Sequence, residues 1–179
     1  MKALTPAEES RLYSYLLRSE DPRDVFLQLL FETGARVSEA LALRGASLAH
    51  GHLDIVPLKG SKPRRVTLSL NLQAKLRLPA SGTLGEALFA GAARASLRRL
   101  ACRHYHDVST RVLGQRKHLH GLRHTAFCRV YRTTKDLLKT QAWAGHRSID
   151  STVTYMLAVE QAEVSTENLR ALAAAGGEG

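Results

Sequence analysis

The chain lacks several features of secreted, membrane-embedded and zinc-binding proteins. Its 179 residues include two cysteines, Cys102 and Cys128, which form neither a zinc-type pair nor a disulfide framework. No apolar run approaches the roughly 18 residues that a membrane helix needs. The first ten residues, MKALTPAEES, do not contain the apolar stretch of a signal peptide. We therefore predict free thiols in a cytoplasmic protein that does not associate with a membrane.

Acidic residues are scarce compared with basic ones. Sixteen Asp and Glu residues stand against 26 Lys and Arg residues, which gives a net charge of +10 and a pI near 10.1. The remaining composition, 44% hydrophobic and 23% charged, is that of an ordinary globular domain. The basic excess favours a polyanionic partner, because each neutralised phosphate releases condensed counterions. A basic protein that is only kept soluble by its charge is the alternative.

The first seventy residues predict three helices followed by a hairpin. Thr5 and Pro6 are typical of a helix start, and Asp21-Pro22 divides the apolar pattern before Gly34 into two helices. A short third helix is predicted from Ser38 to Leu43. The alternating residues 53–57 and 65–68 then predict a β-hairpin that turns near Gly60 and Ser61.

Beyond residue 69 the pattern indicates helices again, although residues 79–93 are ambiguous because of their glycines. The predicted helices are 93–112, 121–133, 135–144, 148–156 and 160–174. No internal repeat or linker divides the chain. We predict a mainly α fold with one small antiparallel sheet (α+β), formed by a single domain over residues 1–175, and a disordered tail at 176–179.

Two short segments contain arginines in a context that suggests phosphate binding. Arg36 lies in TGARVSEALAL and Arg123 lies in HGLRH. Arginine is always protonated and its planar fork can contact two oxygens, so it suits the charge that gathers on a phosphodiester under attack. Glu39, three positions after Arg36, could hold that side chain or cap the backbone, and we predict a supporting role for it.

Histidine and tyrosine side chains complete the candidate site. His120 precedes Arg123 by three positions, so both project from one face of a helix, where His120 could accept a proton or donate to a phosphate. His124 is predicted to support them. Tyr155 follows His146 by nine positions and is the candidate nucleophile, since tyrosine can form covalent intermediates once it is activated. The other four tyrosines are predicted to be packing or surface residues: Tyr13, Tyr15, Tyr105 and Tyr131.

Taken in order, this set of residues resembles the active site of the tyrosine recombinases, the phage integrase family, across roughly residues 5 to 160. The resemblance implies the fold of that family's catalytic domain and a metal-free, cofactor-free reaction. In that reaction Tyr155 would form a 3′-phosphotyrosine and release a 5′-hydroxyl, which attacks the partner strand. His146 would donate to the phosphate. Lys62 in LKGSKPRRVTL is the candidate proton donor for the leaving oxygen, with Lys59 as its competitor.

The resemblance also implies partners. Double-stranded DNA is expected to contact the basic residues Lys59, Arg64, Arg65, Lys117 and Arg147. Four protomers are expected to assemble on paired sites, with an accessory DNA-binding protein as a possible partner, in a bacterial, plasmid or phage setting. Three departures stand out: Ala144 replaces the family's usual leucine before Gly-His, the stretch between the hairpin and HGLRH is short, and the chain is predicted to lack the N-terminal domain that closes over DNA.

Two other functions fit part of the pattern. A type IB topoisomerase uses a similar tyrosine and basic residues, but it reseals the same strand and so relaxes supercoils. A DNA-binding regulator built on the recombinase fold would use the basic charge without needing Tyr155. The pattern leaves open whether the reaction serves integration, excision, inversion or resolution.

Overall fold

The central element of the fold is the helix α2 (Pro22–Thr33), which is buried along most of its length. The structure is a computed structural model, and it describes residues 3–57 and 62–144. A helix with apolar residues around its whole circumference has to be enclosed by other elements. Accordingly, α2 packs against α1 (Pro6–Arg18), α4 (Leu70–Lys75), α6 (Leu97–Leu113) and α7 (His120–Thr134).

The first two helices begin at the capping residues that the sequence indicated. The backbone N–H of Glu8 donates to the Thr5 hydroxyl (3.3 Å), and the Glu8 carboxylate accepts from the backbone N–H of Thr5 (2.9 Å). Asp21 caps α2 by accepting from the backbone N–H of Arg23 (2.8 Å). Gly34 ends α2 in the left-handed conformation, with φ of 60°. The predicted division at Asp21-Pro22 is therefore confirmed.

A three-stranded antiparallel sheet follows in the described part of the chain. Its strands are β1 (Leu48–Ala49), β2 (His52–Ile55) and β3 (Arg64–Thr67), in the order β1-β2-β3. In the β2–β3 pair, Val66 lies opposite Leu53. The predicted hairpin is confirmed, while its predicted tip at Gly60 and Ser61 lies outside the described residues. The two-residue strand β1 was not predicted.

The remaining helices agree with the predicted segments to within a few residues. They are α3 (Val37–Leu41), α5 (Leu84–Leu88) within the ambiguous segment, α6, which follows a short 3-10 helix at Arg94–Ser96, α7, and α8 (Leu137–Ala144). The fold is thus mainly α with one small sheet, as predicted. The predicted helices 148–156 and 160–174 and the tail 176–179 lie outside the described residues.

Two smaller expectations concern thiols and membranes. Cys128 is buried, Cys102 is half-buried, and both are free thiols, as predicted. Within residues 3–57 and 62–144, every helix is too short or too polar to cross a bilayer.

Candidate active site

Arg36 and Glu39 form the first half of the site. Arg36 is the residue before α3, and its backbone N–H donates to Glu39 Oε2 (2.9 Å). Its side-chain Nη1 donates to the other carboxylate oxygen, Oε1 (2.8 Å). Glu39 therefore does both things that the sequence suggested: it caps the backbone and holds the arginine. The Arg36 side chain is 36% exposed and that of Glu39 is 1% exposed. The buried carboxylate of Glu39 therefore holds the partly exposed guanidinium of Arg36 at the surface.

Glu39 is charged although it is buried. Burial on its own would raise the pKa of this carboxyl. The hydrogen bonds from Arg36 and the positive charges of Arg64 and Arg123 outweigh burial, so the pKa lies below its ordinary value. One carboxylate is thus surrounded by three guanidinium groups, and the excess positive charge suits an anion.

Arg123 is a buried residue of the site, and it contacts two separate segments of the chain. Arg123 is 3% exposed, and its guanidinium lies 4.5 Å from the ring centroid of Phe127 in the same helix. Nη1 donates to the Gly34 carbonyl, and Nη2 donates to the Ala144 carbonyl (3.1 Å). Gly34 is two residues before Arg36, and Ala144 is two residues before His146. Arg123 therefore fixes the segment that carries Arg36 and the end of α8.

His120 is exposed at the start of α7, and its charge state depends on the neighbouring arginines. Partial desolvation lowers the pKa of its ring, and the charges of Arg123, Arg36 and Arg98 lower it further. Two arginines that lie far apart in sequence are therefore within electrostatic reach of one imidazole. The ring is accordingly neutral near pH 7, which is the form that accepts a proton.

Arg98 on α6 is a site neighbour that the sequence analysis missed. Arg98 is exposed, and its positive charge lowers the pKa of the His120 ring. A signal was present in the sequence, because Arg94, Arg98 and Arg99 cluster at the beginning of a predicted helix. Nothing in that cluster indicated which arginine would lie next to His120, since this depends on how α6 packs.

His124 packs against His120 from the buried side. Its residue is 3% exposed, and the two rings meet edge to face with centroids 4.7 Å apart and an interplanar angle of 88°. The contact restricts the orientation of the His120 ring, which fits the supporting role predicted for His124.

The predicted DNA contacts divide into surface and buried side chains. Lys62 is exposed at the start of the second hairpin arm. Arg65 is 67% exposed in an ion pair with Asp54 (2.7 Å), and Lys117 is 24% exposed in an ion pair with Glu8 (2.7 Å). Arg64 differs, because its side chain is 6% exposed and faces Glu39. Four predicted site residues lie outside the described part of the chain: Lys59, His146, Arg147 and Tyr155.

The other tyrosines are poor nucleophiles where their ionisation is resolved. Tyr105 is fully buried, and burial strongly raises the pKa of its phenol. Burial and a nearby carboxylate raise the pKa of Tyr13, beside Glu32, and that of Tyr15, beside Asp24. A raised pKa disfavours the phenolate that attacks phosphorus. The prediction that these residues have packing roles is consistent with this arrangement.

The described residues offer an anion site in preference to a metal site. Across residues 3–57 and 62–144, no three His, Cys, Asp or Glu side chains are grouped so that they could hold a metal ion. The charged side chains around Glu39 are cations, and they come from the residue before α3, from β3 and from α7. Such a cluster can stabilise a phosphate and the negative charge that develops on it.

Comparison with known proteins identifies the family. The model of the phage integrase family matches residues 2–161, and the chain belongs to that family. Tyrosine recombinase XerC of Chromohalobacter salexigens is 31% identical over 137 residues, which are 72% of this chain and 46% of the relative. An integrase/recombinase of Escherichia coli is 41% identical over 76 residues, which are 41% of this chain and 22% of the relative. The chain thus spans about half, or less, of the curated relatives it matches.

Solved structures show the same fold. XerA recombinase superimposes with a TM-score of 0.67 at 21% identity, covering 93% of this chain and 64% of that one. XerH recombinase bound to palindromic difH substrate, in a post-cleavage complex, gives 0.66 at 19% identity, covering 93% and 52%. The catalytic domain of bacteriophage HP1 integrase gives 0.63 at 23% identity and covers 87% of each chain. The architecture is that of a tyrosine recombinase catalytic domain, which confirms the predicted fold.

Proposed function

We propose that this chain cuts and rejoins double-stranded DNA at specific sites through a covalent 3′-phosphotyrosine formed on Tyr155. The observation that carries the proposal is the convergence of Arg36 with His120 and Arg123 of α7: the two arginines come from segments far apart in the sequence, and the charges of both lower the pKa of the His120 ring. Membership of the phage integrase family supports the same reaction. So does the DNA-bound, post-cleavage state of XerH, a protein of the same fold.

The arginines would bind and polarise the scissile phosphate. Arg36 is held at the surface by Glu39, so its guanidinium can approach a phosphate oxygen. Arg123 contributes positive charge from a buried position, in an orientation fixed by two backbone carbonyls. Preorganised cations stabilise the charge that develops on the phosphate without having to reorganise during the reaction. Arg98 adds charge from the side of α6.

Two proton transfers accompany cleavage. The Tyr155 oxygen forms a bond to phosphorus while the bond from phosphorus to the 5′-oxygen breaks. Neutral His120 accepts the proton of the tyrosine hydroxyl, and His146 donates a hydrogen bond to the phosphate. The leaving 5′-oxygen takes a proton from a hairpin lysine, either Lys62 or Lys59. A 5′-bridging phosphorothiolate substrate separates these two, since it rescues only the variant that has lost the true donor.

DNA would be held mainly through phosphates. Lys62 and Arg65 are exposed on the hairpin, and Lys117 lies near the beginning of α7. Lys59 and Arg147 are further proposed contacts. We expect cleavage and exchange to need four protomers on paired sites, with or without an accessory DNA-binding protein. We also propose a cytoplasmic location. A similar recombinase comes from a bacterium, where DNA lies in the cytoplasm.

Trapping the covalent intermediate tests the proposal. A library of nicked duplexes with randomised sequence is incubated with the full chain, and protein-linked DNA is recovered under denaturing conditions. The wild-type protein should enrich a defined sequence, and Tyr155→Phe should yield none while still binding DNA. If the wild-type protein binds DNA but forms no adduct, the result would indicate a DNA-binding regulator built on the recombinase fold. Sustained relaxation of a supercoiled plasmid that lacks the enriched sequence would indicate the topoisomerase.

A further inference from the structure

Arg64 lies on the inner side of the hairpin, although its charge suggests a surface residue. It is the first residue of β3, where alternate side chains point to opposite faces. Val66, two residues on, is buried, while Arg65 and Thr67 are exposed. The Arg64 side chain points to the same face as Val66 and is 6% exposed. Its burial is therefore set by the register of the strand.

The neighbour of this buried cation is Glu39. Arg64 Nη2 lies 3.5 Å from Glu39 Oε2, and the carboxylate is 1% exposed. Among the residues that the structure describes, none accepts a hydrogen bond from the three guanidinium nitrogens of Arg64. Burial lowers the pKa of Arg64, and the charge of Glu39 opposes that effect. Burying a cation costs hydration free energy, and only an opposite charge nearby can offset that cost. For Arg64, that opposite charge is Glu39.

Glu39 connects Arg64 to the reaction site. Its Oε2 atom faces Arg64 and also accepts the backbone N–H of Arg36 (2.9 Å). Its Oε1 atom accepts Nη1 of Arg36 (2.8 Å). The carboxylate therefore lies between two guanidinium groups, and the three side chains together carry one net positive charge. By sharing the carboxylate, Arg64 leaves Arg36 less completely neutralised than a simple ion pair would.

We infer that Arg64 is a positioning residue for Arg36 that acts through Glu39, and that it is not a DNA contact. The inference rests on the proposed function, in which Arg36 binds the scissile phosphate. Arg64 keeps Glu39 ionised and oriented, and Glu39 holds Arg36 at the surface. The same contact joins β3 to the beginning of α3, so the strand that follows Lys62 is fixed relative to Arg36.

A double-mutant cycle between Arg64→Gln and Glu39→Gln tests the inference. The rate of adduct formation on the nicked duplex and the affinity for the same DNA are measured at several salt concentrations. Each single variant should lose on the order of 10²-fold in rate, since a displaced group near the chemistry has effects of that size. The double variant should lose no more than Glu39→Gln alone. The double variant removes both buried charges together, so it can still be measured if Arg64→Gln on its own fails to fold.

The salt dependence separates positioning from DNA contact. Each phosphate contact contributes about 0.9 to the slope of log affinity against log salt. The slope should be unchanged in Arg64→Gln and smaller by about 0.9 in the matched control Arg65→Gln, the exposed neighbour. Arg64→Lys, which keeps the charge, should recover most of the rate.

Two results would overturn the inference: a slope that falls in Arg64→Gln as it does in Arg65→Gln, or losses in the cycle that simply multiply. Failure of the proposed function looks different, because the wild-type protein would then form no adduct. In that case the cycle in DNA affinity still shows whether Arg64 acts through Glu39.

Discussion

At the scale of single residues, the burial of Arg123 determines what can replace it. Its guanidinium spans the carbonyl oxygens of Gly34 and Ala144 and stacks on Phe127. A lysine keeps the charge, but its compact ammonium cannot reproduce the planar fork. We expect Arg123→Lys to slow adduct formation by roughly 10²–10³-fold, as measured in single-turnover assays, because one preorganised donor is lost.

Arg129 offers a matched control on the same helix. It also stacks on a phenylalanine, with its guanidinium 4.2 Å from the ring centroid of Phe31, and it donates to the Phe31 carbonyl (3.0 Å). It pairs with Glu9, away from the site. Arg129→Lys should therefore cost stability without slowing the reaction. Equal rates for Arg129→Lys and Arg123→Lys would argue against a role for Arg123 in the chemistry.

The ionisation of His120 predicts a pH dependence. Desolvation and the charges of Arg123 and Arg36 disfavour the imidazolium, so its pKa lies below its ordinary value. As a base, His120 is active when neutral. The second-order rate of adduct formation, which reports ionisations of the free protein, should fall only at pH values below about 6.5. His120→Gln should be slower and lack this acid limb. A rate that rises as the pH falls would show that the protonated ring is the active form.

At the scale of secondary-structure elements, Gly34 joins the end of α2 to α8. Its φ is 60°, and a Cβ at this position would lie 3.0 Å from Trp143 and 3.2 Å from the side chain of Ala126. Gly114 ends α6 with φ of 73°, but a Cβ there would meet no atom of the described residues within 4 Å beyond its chain neighbours and its own helix. Gly114 therefore isolates the backbone effect.

The two glycines predict different losses of stability. Gly114→Ala should lower the free energy of unfolding by about 1–2 kcal/mol, the cost of a left-handed alanine. Gly34→Ala should cost a further ~1–3 kcal/mol, because the methyl group overpacks the contact with Trp143. Urea unfolding of both variants measures this difference. Equal losses in the two variants would show that the contact between α2 and α8 accommodates the added methyl group without strain.

A second junction, between α1, α2 and α6, depends on a buried acid. Asp24 accepts hydrogen bonds from Tyr15 (2.5 Å) and Ser19 (2.7 Å) and pairs with His104 (2.7 Å). Although burial opposes ionisation, these partners lower the pKa of Asp24 from 3.8 to about 2. A depressed acid pKa stabilises the fold above the unfolded-state value, and that stability is lost as the pH falls toward the folded-state value.

Asp24 should therefore contribute to resistance against acid. We expect it to add about 2 kcal/mol to the free energy of unfolding at neutral pH, a contribution lost between about pH 4 and pH 2. Asp24→Asn should lower stability at pH 7 and make it less dependent on pH in that range, as followed by urea unfolding at each pH. Parallel curves for the variant and the wild-type protein would contradict this account.

Local signals predicted the elements better than they predicted the contacts. Thr5, Asp21 and Gly34 are helix boundaries that act through neighbouring backbone groups, so the sequence was sufficient to locate α1 and α2. The strand β1 has two residues, too few for a periodic pattern. Arg64 was predicted to contact DNA because it is charged, but the register of β3 turns it toward Glu39. Such long-range partners become visible only when the elements are packed.

The same limit applied to the site. The spacing of His120 and Arg123 on one helix was sufficient to predict that they share a face. The carbonyl partners of Arg123 come from α8 and from the end of α2, and the charge of Arg98 comes from α6. These contacts depend on how four helices meet, and no spacing within the chain encodes them directly.

At the scale of the whole molecule, the proposal combines a basic domain with one nucleophile. The net charge of +10 favours DNA in general, whereas the chemistry requires a single tyrosine among five. Burial or carboxylate neighbours raise the pKa of Tyr13, Tyr15 and Tyr105. Of the two remaining tyrosines, Tyr131 and Tyr155, we propose Tyr155 as the nucleophile because it follows His146 by nine positions.

Mapping the attachment site tests this central claim most directly. The covalent adduct formed on the nicked duplex is digested with nuclease and protease, and the peptide that retains a nucleotide is identified by mass spectrometry. We predict a single modified peptide with the nucleotide linked through its 3′-phosphate to Tyr155. Attachment to any other residue, or linkage through a 5′-phosphate, would contradict the account.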